Sequence, residues 1–108
     1  GERHAFDEIT RRHGDYAMAG LTAKASVSGT TLSNVRLAYF GVGGTPVLAV
    51  NAGATLDGTL SDDRINAAQA ALEIDLDPFD DIGCKAATKL HLAKVLLDRV
   101  VRRMATAE

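Results

Sequence analysis

The clearest pattern in the first half of the chain is an alternation of apolar and polar residues. The stretch 16–28 ends in four apolar side chains that alternate with four polar ones, which is typical of a strand with one face in water. A second alternating stretch, Leu32–Val42, leaves Phe40 on its polar side, and residues 29–31 between the two favour a turn. The pattern predicts an antiparallel hairpin, with 47–50 as a third short strand.

Three other stretches have helical spacing. Ala5–His13 carries its apolar residues on one side and predicts a short helix that Gly14 ends. Asn51 is suited to cap a helix of one or two turns that ends at Gly58. In Ser61–Ile74, apolar residues recur at helical spacing behind an N-cap serine, with acidic residues in the first turn, where the helix dipole favours them.

The last helix has the strongest pattern. Cys84–Met104 carries an apolar face wider than a coiled-coil seam, while Lys94, Asp98 and Arg102 share the opposite side at i, i+4 spacing. The preceding residues 75–81 contain a proline and are expected to link two helices. The elements predict an α+β fold in which a small antiparallel sheet of three to four strands has helices packed on one face, one helix before the hairpin and two or three after it.

Length and charge narrow the classes of function. The chain has 108 residues, 46% of them hydrophobic, so residues 1–108 are expected to form a single domain with one core. The net charge of −2 argues against a nucleic-acid partner. The charges are sorted, however, because residues 57–81 hold one basic and eight acidic residues and residues 85–108 hold six basic and two acidic.

The compartment and the extent of the chain are also constrained. A single cysteine, Cys84, excludes an internal disulfide and favours a reducing, cytoplasmic location. No apolar run approaches the roughly 18 residues of a membrane-spanning helix, so no transmembrane segment is expected. The chain does not begin with Met, and its amphipathic pattern already runs by Phe6, which predicts that it is part of a longer polypeptide.

Candidate chemistry is sparse. The histidines His4, His13 and His91 lack metal-ligand spacing, and no metal site is expected. Asp80 and Asp81 are interpreted as helix caps rather than as an acid–base pair. Spacing brings no nucleophile, base and orienting group together, so the residue patterns alone reach only an α+β domain without assigned catalytic residues.

Three segments carry a family resemblance. They are FDEITRRHGDYAMAG (6–20), VRLAYFGVGGTP (35–46) and PFDDIGCKAATKLHLAKV (78–95). In this order and spacing they resemble the C-terminal domain of the FAD-binding medium subunit of molybdenum hydroxylases, the carbon monoxide dehydrogenase and xanthine dehydrogenase superfamily. The similarity covers nearly the whole chain.

The resemblance implies a cofactor, partners and a site. It implies FAD in the complete subunit, whose other domains carry the pyrophosphate loops, a large partner subunit with molybdopterin and a small one with 2Fe-2S clusters. Arg12, Gly14, Asp15 and Tyr16 match the motif that lies near the flavin in such proteins. The alternative for these residues is structural: Gly14 and Asp15 only end a helix, and Arg12 is solvated.

The function expected from the resemblance is therefore a domain of an electron-transfer flavoprotein. Such a domain covers the flavin side and docks partner subunits, and by itself it is not expected to bind FAD tightly or to turn over a substrate. Two alternatives stay open: a free-standing interaction module that docks through the acidic residues 57–81 or the basic last helix, and a small enzyme that uses Cys84.

Overall fold

The computed structural model describes residues 2–10, 18–40, 47–76 and 86–106. These residues form one antiparallel sheet and three helices. The strands are β1 (Glu2–Thr10), β2 (Met18–Ser28), β3 (Thr31–Phe40), β4 (Val47–Leu48) and β5 (Gly58–Thr59), and the helices are α1 (Val50–Leu56), α2 (Asp62–Asp75) and α3 (Ala86–Thr106).

The sheet confirms the predicted α+β class. Its strand order is β1-β2-β3-β4, and the short β5 pairs with the start of β3. The predicted hairpin is β2–β3, and Gly29 supplies the positive φ of 63° that its turn requires. A bulge opposite Ala25 places Asn34 at a φ of 52°, a conformation that asparagine tolerates better than most residues.

The first element is a strand, and the predicted helix over Ala5–His13 is wrong for its described part. Residues 2–10 pair with β2 along their whole length, from Glu2 opposite Ser26 to Thr10 opposite Met18. The short stretch has few apolar residues, which fit both a helical and a strand period. Nine residues of this stretch pair with the long strand β2. The stretch is therefore a strand, because tertiary pairing overrides weak local propensity.

The core lies between one face of the sheet and the helices. α3 packs across β1 and β2, α1 packs on β3, and α2 lies against the other two helices. The Tyr39 hydroxyl, fully buried, donates a 2.8 Å hydrogen bond to the carbonyl of Ala93 in α3. The largest fully buried side chains are Tyr39, Leu21, Leu32, Leu37, Leu56, Ile65, Leu72, Leu96, Leu97, Met104 and Val100.

The caps of α1 and α2 differ from each other in origin. Ser61 caps α2 as predicted, because its hydroxyl accepts the N–H of Arg64 at 3.1 Å. The prediction that Asn51 caps α1 is wrong, since α1 begins at Val50 and Asn51 lies inside it. The capping group comes from α2 instead: the Asp75 carboxylate accepts the backbone N–H groups of Asn51 and Ala52 at 3.0 and 2.8 Å.

The sorted charges of the sequence meet across the α2–α3 contact. Arg102 on α3 reaches Asp62 on α2 at 2.7 Å, and Lys94 on α3 reaches Glu73 on α2 at 3.1 Å. Arg102 also pairs with Asp98 one turn before it, as the i, i+4 spacing predicts. Part of the acidic segment is therefore matched by the basic helix of the same chain.

Candidate functional site: the outer face of the sheet

The four main strands present a second face on the side away from the core. Strand alternation places Leu21 and Ala23 in the core and leaves Thr22 and Lys24 exposed on this side. We call this side the outer face. Paired residues of neighbouring strands share a face, so the register arranges the outer face as rows of side chains that run across the sheet.

One of these rows is largely apolar. Phe6 on β1, Thr22 on β2, Ala38 on β3 and Leu48 on β4 are paired in that order. Phe6 is 49% exposed and Leu48 is 48% exposed. We call these four residues the apolar row. The apolar row forms a hydrophobic stripe across the sheet. The solvent-exposed face of an antiparallel sheet usually carries polar side chains instead.

An aromatic pair widens the apolar row. Phe6 and Phe40 stand on strands separated by β2, so their backbones are roughly 10 Å apart. Their ring centroids are nevertheless only 5.8 Å apart, with an interplanar angle of 11°, the stacked arrangement that aromatic rings favour. The rings can lean together because Gly20 lies between them: a Cβ at Gly20 would collide with the Phe40 ring.

The neighbouring row is basic. His4, Lys24 and Arg36 are paired across β1, β2 and β3, and all three are exposed. Glu2 lies 3.4 Å from both the His4 ring nitrogen and the Lys24 ammonium. Lys24 and Arg36 are directly opposite each other, an arrangement of like charges that costs stability in a sheet. We call these three residues the basic row.

A surface cavity lies at the β3–β4 end of both rows. Its volume is about 220 Å³. Arg36 from the basic row and Leu48 from the apolar row line it together with Val50 at the start of α1, which is 63% exposed. The outer face therefore combines stacked aromatics, aliphatic side chains and cations, and the cavity adjoins it at β4, where Leu37, Ala54 and Asp57 also line it.

None of the site residues predicted from the sequence falls in the described part of the chain. Arg12, Gly14, Asp15 and Tyr16 lie outside the described residues, as do Asp80, Asp81, Cys84 and His13. The described residues on either side of the first group, Thr10 and Met18, are paired neighbours on β1 and β2. The sheet thus fixes the two ends between which that segment runs.

β1 is held in place by α3. Arg103 donates to the carbonyl of Phe6 at 3.0 Å and approaches the carboxylate of Asp7 at 3.3 Å, and Arg99 lies 3.9 Å from the same carboxylate. Arg3 donates to the carbonyl of Met104 at 2.9 Å. These contacts anchor the edge strand that leads into residues 11–17.

The outer face contains residues that the sequence patterns did not single out as a site. Phe6 was assigned to the apolar side of a helix, and Leu48 to a short strand without a role. The signal that was available was Phe40, an aromatic residue on the polar side of an alternating strand. The role of Phe40 in this surface depends on Gly20 and Phe6, and only the strand pairing makes these two residues its neighbours.

The N-termini of α1 and α2 do not suit a dinucleotide pyrophosphate. Such a group binds where free N–H groups and the positive end of a helix dipole point at it. At α1 the Asp75 carboxylate already occupies the N–H groups of Asn51 and Ala52. At α2 the first turn carries Asp62 and Asp63, whose charges repel phosphate. A phosphate cradle for FAD does not fit at either end.

Within residues 2–10, 18–40, 47–76 and 86–106, no group of three or more His, Cys, Asp or Glu side chains is placed to hold a metal ion. None of the helices in these ranges has the length and apolarity needed to cross a membrane.

Comparison with known proteins decides the family. The model of the CO dehydrogenase flavoprotein C-terminal domain matches residues 4–104. This chain belongs to that family. The resemblance inferred from the three sequence segments is confirmed, and with it the fold class, since a solved structure of reconstituted CO dehydrogenase from Oligotropha carboxidovorans superimposes with a TM-score of 0.85 at 28% identity, over 99% of this chain and 38% of that one.

Curated relatives of this CO dehydrogenase flavoprotein C-terminal domain are subunits of dehydrogenases. The carbon monoxide dehydrogenase medium chain of Afipia carboxidovorans is 31% identical over 95% of this chain and 36% of its own length. The subunit alpha of the 6-hydroxypseudooxynicotine dehydrogenase complex of Paenarthrobacter nicotinovorans is 30% identical over 95% of this chain and 36% of its own. The chain thus spans little more than a third of each relative.

Proposed function

We propose that residues 1–108 are a single domain at the C-terminus of the FAD-containing medium subunit of a molybdenum hydroxylase complex. The domain covers the flavin side of that subunit and docks partner subunits, and it has no turnover of its own. The observation that carries the proposal is the family match over residues 4–104, together with relatives that are medium chains about three times as long.

The complete complex, in this proposal, holds its cofactors on several chains. FAD is bound by the medium subunit, molybdopterin by the large subunit and 2Fe-2S clusters by the small subunit. The carboxylate of Asp75 occupies the first N–H groups of α1, and the first turn of α2 is acidic. Both features support a division in which the FAD phosphates are held by the rest of the medium chain. The substrate meets the large subunit, so its chemistry is not a property of this domain.

The residues of this domain that we propose to lie near the flavin are Arg12, Gly14, Asp15 and Tyr16. Their segment joins Thr10 to Met18, two paired positions of the sheet. The contacts of Arg103 with β1 hold the strand before it. Residues that hold a cofactor are positioned more precisely when the elements that flank them are rigid.

The test uses the complete medium chain from the gene that encodes this domain, assembled with its partner subunits. We expect bound FAD in the purified complex and, in Tyr16→Ala, a shifted reduction potential of the flavin. Tyr39→Phe serves as the matched control, since it removes a hydroxyl from the core and leaves the flavin potential unchanged. A medium chain without FAD, or equal potentials in all three proteins, overturns the proposal.

A second measurement tests the division of the cofactor. The 108-residue chain alone, titrated with FAD and followed by flavin fluorescence, is expected to show no saturable binding at micromolar concentrations. Micromolar affinity would contradict the proposal that the phosphate contacts lie elsewhere in the subunit.

The alternative of a free-standing interaction module is not favoured. It relied on the acidic residues 57–81 or the basic last helix as docking surfaces. In the structure, Asp62 and Glu73 of the acidic segment pair with Arg102 and Lys94 of that helix, so these charges already have partners within the chain.

A further inference from the structure

The outer face of the sheet has the composition of a docking surface. We propose that it binds an acidic segment of the remainder of the medium chain, with a bulky apolar side chain of that segment seated on the apolar row and its carboxylates on the basic row. This inference rests on the proposed function, because the occupant is the part of the medium chain that lies outside residues 1–108. It assigns that contact to particular residues.

The apolar component of the argument concerns exposed hydrophobic area. Four large hydrophobic side chains of the described residues are exposed, and two of them, Phe6 and Leu48, fall in one row of one face. Phe40 stacks on Phe6 over Gly20 and extends the same patch. Covering such half-exposed side chains is favourable in proportion to the area removed from water, and clustered exposure of this kind marks contact surfaces.

The charge component sets the chemistry of the occupant. Lys24 and Arg36 face the same side, one row from the apolar stripe, and lie directly opposite each other. Their mutual repulsion is relieved when a carboxylate lies between them. Glu2 already approaches Lys24 at 3.4 Å, which shows the kind of group that the row accepts, while no ion pair reaches Arg36 from the residues that the structure describes.

The size of the surface favours an occupant on the same polypeptide. The two rows together comprise seven residues, fewer than the roughly 20–30 residues per partner of a stable complex between separate proteins. Interfaces between domains of one chain are often smaller and more polar. A covalent link supplies a high effective concentration, so a modest patch suffices. The relatives show room for such an occupant, since this chain spans 36% of their length.

The experiment places a photoreactive p-benzoylphenylalanine at position 22, in the centre of the apolar row, of the complete medium chain assembled with its partner subunits. The same residue at position 70, exposed on α2, is the positional control. Cross-linked peptides are identified by mass spectrometry. We expect position 22 to link to one segment of the same medium chain, rich in Asp and Glu, and position 70 not to link to that segment.

Side-chain variants test the two rows separately. Phe6→Thr/Leu48→Thr keeps strand-forming residues and is expected to lower the cross-link yield from position 22 at least about fivefold. Ile74→Thr, which changes an apolar side chain that is 76% exposed on α2, is the matched control and leaves the yield unchanged. Lys24→Gln/Arg36→Gln is expected to lower the yield, and Asn66→Asp/Ala70→Glu, with the same change in net charge, is not.

The outcomes separate this inference from the proposed function. Cross-links from position 22 to a partner subunit, to a segment without acidic residues, or to nothing overturn the inference while FAD in the purified chain still supports the function. A medium chain without FAD overturns the function, and the inference with it. Equal losses of yield in the row variants and their controls also overturn the inference.

Discussion

The two faces of the sheet are built from alternate residues of the same strands, yet they differ in what they contribute. On the core side, Leu21 and Tyr39 are fully buried, and Tyr39 is tied to α3 by a hydrogen bond. On the outer face, Phe6 and Leu48 remain about half exposed in the apolar row, which crosses the same strands. The first face stabilises this domain, whereas the second retains apolar area and charge that a contact partner can use.

The largest effect is expected on the core side. Leu21→Ala removes a side chain that is fully buried under α3 and should lower the free energy of unfolding by about 3 kcal/mol, because a cavity remains. Thr22→Ala, one residue along on the outer face, should change it by less than about 0.5 kcal/mol. Urea denaturation followed by circular dichroism measures both. Similar losses in the two variants would contradict the assignment of the faces.

The next effect concerns the cap that joins α2 to α1. Asp75→Ala removes the carboxylate that accepts two backbone N–H groups and the side-chain amide of Asn51, and should cost about 1.5 kcal/mol. Asp63→Ala, in the first turn of α2, loses only an interaction with the helix dipole and should cost about 0.5 kcal/mol. Thermal and urea unfolding compare the two; a larger loss for Asp63→Ala would contradict the cap.

A smaller effect, with a distinct pH dependence, is expected for Tyr39. Its replacement by Phe removes the hydrogen bond to Ala93 and should cost about 1 kcal/mol at neutral pH. Burial raises the pKa of the Tyr39 hydroxyl far above its usual value, and the charge of Asp75 adds to the increase. The unfolded chain loses this proton near pH 10, so stability is present below that pH and is lost as the pH rises above it.

The check on Tyr39 is the slope of stability against pH. Urea midpoints measured from neutral pH to above pH 10 should fall more steeply in the parent chain than in Tyr39→Phe. The other tyrosine, Tyr16, is unchanged in both proteins, so the difference isolates Tyr39. Parallel slopes would mean that Tyr39 ionises equally in the folded and unfolded chains.

The smallest effect on stability is expected on the outer face. Leu48→Thr in the isolated chain should change the free energy of unfolding by less than about 0.5 kcal/mol, because the side chain is half exposed and threonine suits a strand. A small change in stability, together with a lower cross-link yield in the complete medium chain, would show that Leu48 serves contact and not the stability of the domain. A loss near that of Leu21→Ala would move Leu48 from the contact surface to the core.

Local sequence patterns predicted most of the elements but not the first. The β2–β3 hairpin, the Ser61 cap of α2 and the long α3 each have a pattern longer than one turn or a specific capping residue. The helix predicted over Ala5–His13 was wrong because its few apolar residues fit two periods. The cap of α1 was also misassigned, since the carboxylate of Asp75 lies 24 positions after Asn51 in the chain.

The candidate site divides in the same way. Family motifs identified Arg12, Gly14, Asp15 and Tyr16 as residues proposed to lie near the flavin, and that remains a prediction. The outer face could not be predicted, because no local pattern records that Phe6, Gly20 and Phe40 are neighbours. Their proximity depends on the register of three strands, which is set by long-range pairing.

The sequence by itself determined the α+β class, the family and the opposite charges of α2 and α3, because each is encoded in periodicity, motif order or composition. Only the tertiary structure decided that residues 2–10 are a strand, that the sorted charges pair with each other, and that the apolar and basic rows share one face. The reason is physical: these features are contacts between residues far apart in the chain, and such contacts exist only after the chain has folded.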